Sequence, residues 1–538
     1  MSNVEYISRV YLLNVPLELD YKHTLYFGNK ETQKQYFMSR KVAQFTDFHY
    51  IRKDNILRVP SKDDNHLATS LDDLLHLGVN YVMYQNTKYS NKWFYAFIKD
   101  LKYVNDETTE IYIETDVLQT WETDYTLKQS FVEREHVVDD TIGTHTLPEN
   151  VEKGEYVCNQ HYVDEDLDDV MTDLCYIVAS TLSTTEKITN SEGVQVYKPS
   201  TGGRYNGIYS GTKYYAYTSP SDINKVLDNY AGTGQVDAVN GLFIAPRVLA
   251  EATNNVVNES TSPYWKEVEV EKNNKTIDGY TPRNKKLLTY PYNYLLASNN
   301  NGGNVIYRYE DFSNGDNATF GIEGVLCPGC SVRLIPTNYK GATENDEEGF
   351  NLGKYPSCNW ATDMYTNWMT QNAQSIAVSN AKNISDATVG AVASLFSADL
   401  VGGLYGSISN GAFGIAQTMA EIDKQSMTPP QANGNLNCGD VITASGKNTF
   451  HFYKMSIKKE YARLIDKFFD LFGYKVNDLK IPNKAHRPEY WYTKTIDVNI
   501  DGAIPQDDMQ KIKNCYNNGI TFWVNPDHIQ NYNVTNTF

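Results

Sequence analysis

The sequence predicts a β-rich α+β protein built from several domains. Its 538 residues exceed what one hydrophobic core ordinarily serves. Tyrosine alone supplies 41 of them, and aromatic and β-branched runs are broken by Asn- and Thr-rich turns, a texture of strands. Helical spacing of apolar residues is confined to a few segments, most of them in the C-terminal half.

Residues 1–140 form a β-rich N-terminal domain. In YVMYQNTKYSNKWFYAFIKDLKYVNDETTEIYIETDVLQTW, from Tyr81, strand-forming runs flank Asn105, Asp106 and Glu107, which predicts a hairpin. Ile111, Ile113 and Val117 alternate onto one buried face, whereas residues 93–98 are nearly all apolar and are expected to be buried on both sides. Residues 141–360 are a middle α+β region. Its acidic run VDEDLDDV at 163–170 is a solvated face, since the Gly and distal Glu of a calcium loop are missing. In SPSDINKVLDNY, Ser219 caps a helix, Pro220 opens it, and Ile223, Val226, Leu227 and Tyr230 make its apolar side. GLFIAP from Gly241 is a strand, and SNNNGGN at 298–304 a surface turn.

Residues 361–440 hold a helical arm and an apolar loop. A helix opens at Thr362 with Tyr365, Trp368, Met369 and Ile376 on or near one face, and the proline-marked TPPQANGNLNCGD brings the chain back. Residues 441–538 close the chain as a compact α+β segment. There Tyr461, Leu464, Ile465, Phe468 and Phe472 mark the packed side of a helix that Gly473 terminates. A second helix begins near Pro505 and stops at Gly519, bracketed by strand-like TIDVNI and ITFWV.

Between 387 and 420 the only charged residue is Asp399. The candidate membrane-active residues are Ala387, Val389, Gly390, Val392, Leu395, Phe396, Asp399, Leu400, Val401, Gly402, Leu404, Gly406, Ile408, Phe413, Ile415 and Met419. Residues 400–420 are long enough to cross a bilayer, but each large apolar side chain contributes only about -0.3 to -0.6 kcal/mol and each glycine costs a helix about 1 kcal/mol. Insertion by a lone chain is therefore marginal. Asp399 would cost about 2.5–3.5 kcal/mol at the bilayer centre, which favours a hairpin with Asp399 near its tip or facing water. Small residues at Gly390, Ser394, Ala398, Gly402 and Gly406 offer a stripe for close helix packing. A Gly-rich plug or linker packed inside a multimer is the plainer alternative.

Composition narrows the function further. A net charge of -18 lacks the basic field of a nucleic-acid binder; an acidic wall would let a duplex slide without sticking only if copies of the chain formed a tube. The N-terminus has no signal-peptide pattern, and the seven dispersed cysteines are expected to be reduced thiols. Cys327-Pro-Gly-Cys330 lacks the second half of a zinc site and is expected to be a turn. No HExxH, GxSxG or phosphate-loop pattern occurs, so no catalytic residue, cofactor or metal is assigned.

YQNTKYSNKWFYAFI (84–98), ETDVLQTW (114–121), SFVEREHV (130–137), LLTYPY (287–292), the Gly/Ala-rich stretch, KKEYARLIDKFFDLFGYKVN (458–477) and NNGITFWVNPDHIQNY occur in that order. Together they resemble the tail knob, or major tail, proteins of short-tailed bacteriophages of Gram-positive bacteria, of the Salasmaviridae and Rountreeviridae type. Residues 145–280 carry no segment-by-segment match. The resemblance implies tail-tube-like β domains plus a knob region and a long apolar loop, with the C-terminal segment completing the tube. It further implies a homo-hexamer in the distal tail of the virion, made in the host cytoplasm. Its partners would be a lower collar or proximal tail protein, tip proteins, viral DNA passing without sequence-specific binding, and conditionally the host cytoplasmic membrane. Apolar loops would plug the lumen and leave it to open that membrane. A receptor- or wall-binding tail component is the alternative, and a wall hydrolase is the least supported.

Overall fold

The computed structural model describes residues 7–86, 92–200, 202–206, 208–260, 262–300, 302–313, 315–355, 357–360, 434–437 and 449–536. The protein is a β-rich α+β chain of two compact units. One comprises Met1–Lys153, Pro282–Leu287 and Glu460–Phe538; the other comprises Gly154–Thr281 and Leu288–Lys459. Both termini thus belong to one unit, and the middle of the sequence builds the other.

The unit holding the termini contains a six-stranded sheet in the order Lys41–His49, Ile7–Leu13, Tyr81–Asn86, Trp93–Asn105, Thr108–Thr115, Ile56–Pro60. Its two edge strands follow each other in sequence, so the sheet curls until both edges line one cavity of about 600 Å³. Val10, Leu12, Val82, Ala96, Ile111 and Ile113 fill the concave core. The expected hairpin is present, with Asn105 paired to Thr108. Residues 93–98 are half-buried or buried throughout, as their unbroken apolar pattern demands. Val117 is buried but leaves the strand: it opens the short helix Val117–Trp121, whose free N–H groups at Leu118 and Gln119 are both accepted by Asp116.

A five-stranded sheet joins the ends of the chain, in the order His23–Leu25, Ile520–Trp523, Tyr490–Ile496, Ser130–Glu135, Tyr474–Lys480. The strand His23–Leu25 runs parallel to Ile520–Trp523. The helix Gln506–Asn518 ends at Gly519, which has φ +91°, and buries Ile512, Cys515 and Tyr516 against Val117, Leu118 and Phe522. The helix Lys459–Phe472 ends at Gly473, φ +63°, as its sequence predicts.

His136, buried just beyond the strand Ser130–Glu135, is held between two backbone groups. Its Nδ1 accepts from the Tyr492 N–H at 2.6 Å, so its Nε2 donates to the Asp470 carbonyl at 2.9 Å. Burial, with the nearby Arg487 charge, pushes its pKa down to about 3. The sign follows directly: a depressed folded pKa gives stability that is present above the unfolded value and is lost as pH falls. The loss is about 1.4 kcal/mol per pH unit below roughly 6.5. Replacing His136 with Gln is expected to flatten the fall in stability between about pH 6 and pH 4, read by urea denaturation at each pH. Parallel pH curves for the two proteins would refute the assignment.

The second unit is built on three larger sheets, beside two two-stranded ones, Leu182–Thr189 with Gln195–Pro199 and Gly203–Tyr205 with Ile208–Ser210. Seven strands run in the order Ala252–Thr253, Val256–Val257, Lys213–Tyr217, Leu174–Ser180, Val239–Pro246, Ser357–Trp360, Gly434–Asn437. The helix Pro220–Gly232, capped by Ser219, packs Ile223, Val226, Leu227 and Tyr230 on this sheet, the four residues its periodicity selects. A five-stranded sheet holds Tyr264–Glu271, Asn317–Gly324, Ser331–Tyr339, Ala342–Glu344 and Phe350–Lys354. A four-stranded sheet runs Tyr156–Val163, His451–Ile457, Asn293–Ser298, Asn304–Tyr307, the last two joined at the predicted surface turn.

Candidate functional site

All sixteen candidate membrane-active residues, from Ala387 to Met419 and including Asp399, lie outside the described residues, as does the helix expected from Thr362. The backbone that leads into and out of this segment is described. Ser357–Trp360 and Gly434–Asn437 pair antiparallel, with Ser357 opposite Asn437 and Trp360 opposite Gly434. The chain therefore departs from and returns to the seven-stranded sheet at neighbouring points. The strand Ser357–Trp360 is in turn paired to Val239–Pro246, a central strand whose residues are almost all buried. Among the described residues no helix is long and apolar enough to cross a membrane.

The other candidates of the sequence resolve into ordinary structure. Cys327 and Cys330 flank a turn closed by the Cys330 N–H donating to the Cys327 carbonyl at 2.9 Å, with Gly329 at φ +69°. Burial raises both thiols above the usual cysteine range, which keeps them protonated and unreactive. The acidic run forms the start of the helix Glu165–Thr172. Asp164 caps the Leu167 N–H at 2.8 Å and pairs with Lys266 at 3.0 Å, and Glu165, Asp166 and Asp168 occupy the first turn, where the helix dipole favours them. Two histidines far apart in sequence do meet: His161 Nε2 lies 2.9 Å from His451 Nδ1, with the rings stacked. Cross-strand pairing brings them together, and their spacing in the sequence carries no sign of it. Among the described residues no group of three His, Cys, Asp or Glu side chains is placed to hold a metal.

Sequence periodicity also misplaces part of the helix Lys459–Phe472. Ile465 is buried as expected, but Leu464 is 67% exposed and Phe472 37% exposed. The packed side instead carries Ala462, Ile465, Phe469 and two carboxylates, Asp466 and Asp470, one turn apart. The segment 282–287 explains the inversion. Asp466 accepts the backbone N–H groups of Arg283 and Asn284 at 2.8 and 3.0 Å, and the Asn284 side-chain amide donates to both Asp466 and Asp470 at 2.8 Å. Arg283 pairs with Asp470 at 2.5 Å. Burial nevertheless raises Asp470 to about 6. The carboxylates bind a passing loop to the helix, and the apolar stripe is rotated outward as a result.

Comparison with known proteins gives this architecture a family. Residues 253–537, more than half of the chain, match the C-terminal domain of the tail knob protein gp9 of Bacillus phage phi29, and residues 7–126 match the caudoviral major tail protein N-terminus. The chain is 26% identical to the tail knob protein gp9 of Bacillus phage B103, covering 97% of each protein. It is 27% identical to that of Bacillus phage PZA, covering 98% of this chain and 97% of the relative. In fold it is similar to the tail knob protein gp12 of bacteriophage C1, at a TM-score of 0.61 and 15% identity over 99% of this chain and all of that one. The chain belongs to the family of phage tail knob proteins, structural components of the virion tail and not enzymes.

Proposed function

We propose that six copies of the chain form the distal conduit of a short phage tail, through which DNA leaves the virion, and that the apolar segment at 387–420 plugs the conduit and then opens the host cytoplasmic membrane. The observation that carries this reading is the segment itself: thirty-odd residues with one charge, in a chain of net charge -18. Its roots are paired side by side at a sheet edge, which suits an excursion that departs and returns at one place. Weak single-chain insertion becomes effective when several copies act together. The acidic chain supplies a wall that repels rather than binds DNA. In this reading the tube is made by the unit holding both termini and the knob by the middle unit, the lower collar protein joins above, and tip proteins join below.

Deleting residues 387–420 is expected to leave assembly and cell adsorption intact while abolishing genome delivery. Loss of adsorption would instead favour a receptor-binding role. A peptide covering 386–421 is expected to release dye from anionic vesicles; vesicles left intact across a range of pH and lipid composition would remove the membrane step.

A further inference from the structure

The outward rotation of the helix Lys459–Phe472 leaves a face that the described residues of the unit do not cover. Leu464, Phe468 and Phe472 follow one another at i, i+4, i+8 along its outer side. The helix lies on the five-stranded sheet there, with Phe472 edge-on to Tyr492 at 5.3 Å and the Arg134 guanidinium 4.8 Å over Phe468. Tyr492, Lys494 and Ile496 alternate onto this same side of their strand. Lys494 pairs with Glu133 at 2.7 Å. Beyond that ion pair the register sets Ile496 opposite Phe131 and Phe131 opposite Leu479, three apolar side chains in one row across three strands.

These groups are wet. Leu464 is 67% exposed, Leu479 59%, Ile496 55%, Phe131 38% and Phe472 37%. Large apolar side chains left wet in this way are the kind of exposed surface that marks an interaction site on a soluble protein. The face is also charged against the chain as a whole. Lys467, Lys475 and Lys494 border it with Glu460 and Glu133, a local excess of one positive charge in a protein of net charge -18.

We propose that this face docks onto a second copy of the chain, on an acidic surface different from itself. Charge complementarity selects the occupant. A copy presenting the same face would set like charges against each other, whereas the rest of a chain of net charge -18 carries an acidic excess complementary to it. A contact between unlike surfaces repeats by rotation, and it closes into a ring when the rotation allows. The inference rests on the proposed six-copy conduit and assigns the surface that builds it.

The test uses the full chain. Leu464→Asp and Ile496→Asp, each placing a carboxylate in the apolar face, are compared with wild type and with Leu75→Asp, a residue 60% exposed on the helix Leu71–His76. Sedimentation velocity is expected to show an oligomer for wild type and Leu75→Asp. The two face variants should self-associate at least about tenfold more weakly, with unchanged circular dichroism and thermal midpoint. Lys467→Glu should weaken assembly in the same direction, and added salt should weaken wild type. If both face variants assemble as wild type does, the assignment is overturned while the conduit stands. If wild type stays monomeric at every concentration, the conduit falls and the face with it. Flotation of wild type with anionic vesicles that the face variants lose, at unchanged assembly, would make the occupant a membrane and overturn the proposal.

Discussion

Replacing Gly473 with alanine is expected to cost about 3–4 kcal/mol of stability, one of the two largest losses foreseen for a single substitution in this chain. Two effects add at this residue. Gly473 sits at φ +63°, where a side chain costs about 1–2 kcal/mol. A Cβ there would also meet the Glu135 carbonyl carbon and oxygen at 2.2 Å and the His136 nitrogen at 2.4 Å. Those atoms are backbone of a paired strand and cannot swing aside. Gly473 ends the helix through its N–H, which donates to Phe469 at 2.8 Å, and its carbonyl accepts from Arg134 at 2.7 Å, so the chain is held on both sides of the contact. Gly28→Ala is the control. It has a similar φ of +72°, but its nearest neighbour would be the Tyr26 hydroxyl at 3.6 Å, so it should carry only the backbone term of about 1–2 kcal/mol. Urea denaturation followed by tryptophan fluorescence measures both. Equal losses would show that the close approach to Glu135 contributes nothing.

The same glycine marks how far the sequence could be read. Gly473 after an apolar helical run announces a terminus, and Pro220 after Ser219 announces a start, because both signals are local. The helix packed by Ile223, Val226, Leu227 and Tyr230 was legible for that reason, as were the hairpin through Asn105 and the strand GLFIAP. The side of the last long helix that packs was not. Tyr461, Leu464, Ile465, Phe468 and Phe472 define an apolar arc, but the arc does not say that residues 282–287 will return to claim Asp466 and Asp470. Two carboxylates at i, i+4 beside that arc were the one available signal. Parallel pairing of His23–Leu25 with Ile520–Trp523 is equally silent in a linear sequence, since each strand is short and its partner lies at the other end of the chain. The candidate membrane-active stretch is an expectation from composition that lies outside the described residues, whereas the pairing of Trp360 with Gly434 comes from backbone register that composition does not encode.

Glu149 is where a second large loss is expected, about 3–5 kcal/mol for Glu149→Ala, because its carboxylate is the buried centre of a charged cluster. Its side chain is fully buried, and that of Lys286 is 3% exposed. One carboxylate oxygen accepts from Lys286 Nζ at 2.5 Å and from the Lys475 N–H at 2.9 Å, and the other accepts from Arg134 Nη2. Burial lowers the pKa of Lys286, while Glu149 is the first of the groups that oppose the shift. Removing the carboxylate leaves that burial uncompensated, so the ammonium is disfavoured further. The sign of the pH response follows. A lysine whose folded pKa lies below its unfolded value destabilises the fold while it is charged, so the deficit of Glu149→Ala should narrow as pH rises through the alkaline range. Replacing both partners removes the stranded charge: Glu149→Leu with Lys286→Met should be less destabilised than Glu149→Leu alone, by about 1 kcal/mol or more. Urea denaturation of wild type, Glu149→Ala, Glu149→Leu, Lys286→Met and the double variant at neutral and alkaline pH gives both quantities. Strict additivity of the two substitutions, or a deficit that does not change with pH, would mean that Lys286 does not depend on Glu149 and that the cluster is held together by packing against Phe469 and Tyr474, whose rings lie 5.9 and 5.2 Å from the ammonium.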